Sequence, residues 1–121
     1  MLETYILNVN HIPMPIGDMI RWGQWMETAD LHLALTEGVI RLDGQRWGVS
    51  RISTVFLGLD HAFNGGPPIL FETMVFDGPL DGLQLRYRSW DEAVATHDRI
   101  VADLGSLTHV SQITALKEKW L

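Results

Sequence analysis

The chain contains no cysteine. Disulfides, thiolate metal sites and catalysis by a cysteine nucleophile are therefore excluded, which suits a cytoplasmic setting. Lysine is nearly missing too: only Lys117 and Lys119, near the carboxyl end, accompany seven arginines scattered from Arg21 to Arg99, and the formal charge is −6. A protein that grips nucleic acid needs a concentrated basic face to release counterions from phosphates, so no direct DNA or RNA binding is expected. No apolar run approaches the roughly 20 residues that span a bilayer. The opening MLETYILNVNHIPM also lacks the charged, apolar and small-residue order of a secretory signal. Neither a membrane role nor export by a visible signal is expected. Repeats, low-complexity tracts and linkers do not occur, so the 121 residues read as one domain with its own core.

What is present in excess is tryptophan, with five in so short a chain; such large amphipathic rings serve interfaces as readily as cores. The unusual chemistry concentrates in STVFLGLDHAFNGGPPILFETMVFDG, residues 53–78. Its flanks, 51–59 and 69–76, are rich in β-branched and aromatic residues and predict two strands. Alternation places Val55, Leu57 and Leu59 against Ile52, Thr54 and Phe56 on the first strand. On the second it places Ile69, Phe71 and Val75 against Leu70, Met74 and Phe76. Both faces are substantially apolar, so helices or a second subunit should cover both, and a homo-oligomer is expected.

The connection from Asp60 to Pro68 is longer than a simple hairpin turn. Asn64, Gly65 and Gly66 supply positive φ and free amides, and Pro67-Pro68 stiffens the return. An ordered loop carrying Asp60, His61 and Asn64 could hold an anion, a metal or a partner's backbone. Alternatively, Asp60 and Asn64 satisfy turn amides and His61 is solvated. Glu72 sits mid-strand between Leu70 and Met74 on its own face. A carboxylate there is either paired, with Arg51, Arg86 or Arg88, or works in a cavity.

Residues 3–9 predict a short edge strand, ended by a stretch whose prolines, Pro13 and Pro15, forbid regular pairing. Asp18 is positioned to cap a helix over 19–29, on which Trp22 and Trp25 either pack into the core or form an aromatic platform for a ligand. Turn signals at Glu37-Gly38 and Asp43-Gly44 predict a meander of strands 31–36, 39–42 and 45–59, and 84–88 predicts another strand. Ser89 to Glu92 has the pattern of a capping box and opens a helix over 90–104, with His97 inside its apolar stripe. That imidazole is either a core group bonded to backbone or faces a cavity with Glu72 or His61. A short helix near 110–120 would leave residues 106–121 loosely attached and peripheral. The expected fold is α+β, a mostly antiparallel sheet of four to five strands with the 19–29 and 90–104 helices packed on it.

The phrase LGLDHxFxxGPPxxFETMVF, with the segments RWGQWMETAD and RYRSWDEAVATHDRIV, resembles a family of small proteins found mainly in tailed phages and prophages. The likeness covers roughly residues 18–102 and is weakest over 31–49, where this chain carries an apparent extra hairpin turn. It implies a phage accessory role, in host cytoplasm, and carries over no activity and no catalytic residue. The first functional reading is stoichiometric binding of a small-molecule ligand or a host protein, as in counter-defence or host takeover. Its binding residues would be Asp60, His61, Asn64, Gly65, Gly66, Glu72, His97, Trp22 and Trp25. No cofactor and no metal site is assigned. The second is a small acid/base or metal-dependent enzyme using His61, Glu72 and His97, which requires the three to converge in one pocket. The third is a virion or assembly component.

Overall fold

The computed structural model describes residues 3–121 and has an α+β fold. Ten-residue α1 (Met19–Thr28) begins where the Asp18 carboxylate accepts from the amides of Ile20 and Arg21, at 3.0 and 3.1 Å. Four strands follow in sequence and in space: β3 (His32–Leu42), β4 (Gln45–Phe56), β5 (Phe71–Phe76) and β6 (Gln84–Tyr87), all antiparallel. Helix α2 (Trp90–Gly105) is capped by the Ser89 hydroxyl, which accepts from the Glu92 amide at 3.2 Å. A 3-10 turn (Val110–Gln112) leads into α3 (Ile113–Trp120).

Two local expectations are overturned. Pro13–Pro15 forms a strand, β2, that pairs with β1 (Tyr5–Leu7) in a separate two-stranded sheet. The Ile16 amide donates to Thr4 and the Asn8 amide to Ile12. Both prolines thus occupy alternate positions whose missing N–H would face away from β1. The Glu37-Gly38 signal makes no turn either: β3 runs through it, with Glu37 opposite Arg51 and Gly38 opposite Ser50. An ion pair of 3.6 Å joins Glu37 to Arg51. The Asp43-Gly44 turn does form, with φ of 52° and 78°, the double positive φ that a two-residue hairpin requires.

Helix α2 covers one face of the sheet. Ile40, Leu42, Ile52 and Val75 pack there with Ile100 and Leu104, while Phe56 and Phe71 pack with Tyr5, Leu70, Tyr87 and Ala93. Helix α1 belongs to the same layer, since Trp25 meets Phe56 edge-on at 5.8 Å. The end of the chain is fastened, not loose. Leu116 joins the core, Trp120 Nε1 donates to Asp103 at 2.8 Å, and Asp43 accepts from both His109 Nδ1 and the Val110 amide. These partners hold the Asp43 and Asp103 carboxyls below the usual range, His109 being the largest influence on the first and Lys119 on the second.

Candidate functional site

The loop after β4 is ordered from within. Asp60 Oδ1 accepts from the amides of Ala62 (2.7 Å) and Ile69 (3.0 Å), the Gly65 amide donates to the Ala62 carbonyl, and Arg88 Nε donates to the Pro67 carbonyl. His61 Nδ1 lies 2.7 Å from the Leu59 carbonyl, which fixes its ring against the strand end. Three amides that could have cradled an anion are thus used internally, and Pro67 and Pro68 have none. Asn64, Gly65 and Gly66 form an exposed tip beside Phe63, which is 68% exposed. The arrangement is that of a stapled knob with Asp60 as its staple.

Glu72 belongs to a different surface. In the ladder it stands opposite Arg86, whose Nε donates to Glu72 Oε2 at 3.0 Å, and the diagonal Gln84 amide donates to the same oxygen at 2.7 Å. Cross-strand neighbours are placed to meet in this way. The carboxylate is largely buried while the guanidinium is 40% exposed, so the charge is compensated at the rim of the sheet.

His97 lies on the other face and is fully buried. Its Nδ1 is 2.8 Å from Thr54 Oγ1 and its Nε2 is 2.9 Å from Thr36 Oγ1. Thr54 Oγ1 in turn lies 2.5 Å from Thr73 Oγ1. Both ring nitrogens are satisfied by side-chain hydroxyls, so the ring is a core group as one reading had it, but bonded to threonines and not to backbone, and it shares no cavity with Glu72 or His61. Burial pushes its pKa below the ordinary histidine value, keeping the ring neutral. The Tyr87 hydroxyl is buried near Thr73 and Thr96 without reaching full hydrogen-bond geometry, and burial raises its pKa.

His61, Glu72 and His97 therefore do not converge: one closes a loop, one faces the uncovered side of the sheet and one is sealed beneath α2. Among the described residues, no group of three His, Asp or Glu side chains is placed to hold a metal ion. Trp22 and Trp25 form no shared platform. Trp25 packs on Phe56, and the half-buried Trp22 turns its buried Nε1 toward Gly58, whose φ of +75° brings β4's continuation close to α1.

The face that α2 leaves uncovered joins residues already noted on β4 and β5 to β3 residues that were not singled out from the sequence. Alternation and register put Leu35, Glu37 and Val39 of β3, Val49, Arg51, Ser53 and Val55 of β4, and Glu72, Met74 and Phe76 of β5 on it. Leu35, Val39, Val49 and Phe76 are 47, 50, 37 and 42% exposed. The apolar second face was legible in residues 51–76; its β3 contribution was hidden by the assumed turn at Glu37-Gly38. On the helix side, a cavity of about 310 Å³ opens between β3 and the end of α2, lined by Thr36, Gly38, Ile40, Ile52, Val101 and Leu104 among others. No helix of the described residues is long and apolar enough to cross a membrane. The chain matches no protein-family model, no curated protein and no solved structure.

Proposed function

We propose that the protein acts by stoichiometric binding of a protein partner, and that the open sheet face is the contact surface. The observation that carries this reading is the set of exposed apolar side chains Leu35, Val39, Val49 and Phe76, interleaved with the Glu37–Arg51 and Glu72–Arg86 ion pairs. An antiparallel sheet facing water ordinarily presents a polar row there, whereas apolar anchors edged by paired charges have the composition of an interface. In the phage setting that the sequence resemblance implies, the partner is a host protein. The enzyme reading has lost its geometric support, because its three candidate groups lie in separate environments.

The test is affinity capture from host lysate with the native chain and with a Leu35→Glu, Phe76→Glu double variant, alongside sedimentation of each. Both positions are exposed, so the variant should keep its melting temperature. A partner held by the native chain and released by the variant supports the reading. Equal retention by both, or a native chain that buries the face in a dimer of itself, sinks it.

A further inference from the structure

The backbone of β3 presents a free sheet edge, distinct from the open face that its odd-numbered side chains help to form. In the β4–β5 ladder the Leu57 amide donates to the Leu70 carbonyl, so odd-numbered residues of β4 bond to β5. Even-numbered residues of β4 then bond to β3, through Thr36, Gly38 and Ile40 opposite Ile52, Ser50 and Gly48. The N–H and C=O groups of Leu35, Glu37 and Val39 are consequently turned outward. Register shifts interrupt the strand between His32 and Ala34 and again between Ile40 and Arg41, which leaves a regular edge from 35 to 40. Sheet edges of this kind are usually blunted by lysine, proline or bulges; here the bulges stand at the two ends and the middle is bare.

The cavity of about 310 Å³ lies directly beside that edge. It is large enough to take an aliphatic side chain with part of its backbone. Gly38 makes the room: a Cβ there would meet nothing within 4 Å. Apolar walls come from Ile40 and Ile52 on the sheet and Val101, Leu104 and Leu107 from α2 and beyond. Arg41 also lines the cavity and has no carboxylate within ion-pair distance among the described residues. Just past it the Asp43 amide donates to the Thr108 carbonyl at 2.8 Å, so this flank of the hairpin already takes a backbone partner from its own chain.

We infer that an extended peptide adds a strand along Leu35–Arg41, sets an aliphatic side chain over Gly38 between β3 and α2, and places a carboxylate at Arg41. Main-chain bonds to an exposed edge supply affinity, and alternate side chains in a groove supply selectivity. The carboxylate would pair with the exposed Arg41 guanidinium, which has no ion-pair partner among the described residues, and the aliphatic anchor would meet the apolar walls of the cavity.

The probe is a synthetic hexapeptide, Thr-Val-Ser-Leu-Val-Asp with a free carboxyl terminus, titrated into the isotopically labelled full chain and followed by NMR. One peptide per chain should bind saturably, with shifts confined to residues 35–41 and 101–107. Gly38→Val fills the cavity on ordinary strand backbone, and Val39→Pro removes an outward amide while sparing the bonds to β4. Each should weaken binding roughly tenfold or more at nearly unchanged melting temperature. No saturation by about 1 mM peptide, or shifts elsewhere, overturns the inference. So does a dimer of the native chain that Val39→Pro dissociates, because the edge would then belong to a second copy.

Discussion

Glu72 and His97 sit on opposite faces of one sheet, Glu72 bonded to Arg86 and Gln84 on the open side and His97 bonded to Thr54 and Thr36 beneath α2. The two groups most suggestive of acid/base chemistry are thus divided by the strands that carry their partners. Each has a structural task, and the tasks respond differently to substitution and to pH.

For His97 the depressed pKa means that the folded state resists a proton the unfolded chain accepts. Stability from the neutral ring is fully present above the unfolded value of about 6.5. It is lost as pH falls from there through the folded pKa, by at most about 1.4 kcal/mol per pH unit for one proton. The melting temperature should fall between pH 7 and pH 5, and His97→Asn should flatten that segment of the profile. An unaltered slope in the variant would assign the effect to another group.

Glu72→Gln retains the possibility of bonding Gln84 but removes the charge opposite Arg86. Because Arg86 is 40% exposed, water compensates much of the loss. The variant should be destabilised by about 1 kcal/mol, well below the 3–5 kcal/mol of a broken fully buried pair. Urea denaturation measures the difference.

Gly78 follows β5 with φ of +77°, and a Cβ on it would overlap Ser50 Oγ, which itself donates to the Asp77 carbonyl at 3.0 Å. Gly78→Ala should therefore cost about 2–3 kcal/mol, from strained backbone and collision together. Adding Ser50→Gly relieves only the collision. A double-mutant cycle showing no coupling would exclude the steric part.

Asp60 and Asn64 occupy the same loop and should behave unlike one another. Asp60→Ala frees the amides of Ala62 and Ile69 and should cost about 1–3 kcal/mol. Asn64→Ala, at the exposed tip, should stay within about 0.5 kcal/mol. Thermal melts of the two single variants settle the order.

The legible parts of the fold were those in which local chemistry and burial agree. The Asp18 and Ser89 caps, the stripe of α2 and the β-branched runs of β4 and β5 each specify their element locally. Gly38 misled because a glycine after Glu37 reads as a turn, whereas its backbone is extended and its missing side chain leaves space beneath α2. Pro13 and Pro15 misled because pairing is forbidden only where a proline nitrogen faces its neighbour. In the candidate site, sequence spacing could place Glu72 opposite an arginine but could not assign it and His97 to different faces. That requires the register of β5 and the position of α2 above the sheet.

The order of the large sheet has a consequence for how the molecule assembles. Every strand from β3 to β6 pairs with its immediate neighbour in the chain, so the central layer forms from sequence-local pairings, the longest connection being residues 57–70 between β4 and β5. Long-span joins tie down the chain ends, where His11 stacks on Trp90 at 3.7 Å and His109 and Val110 meet Asp43. Folding should therefore start in the middle, with both termini docking afterwards, and native-state hydrogen exchange should find its least protected helices in α1 and α3. The ends can then open and reclose while the sheet that presents the open face and the β3 edge stays intact.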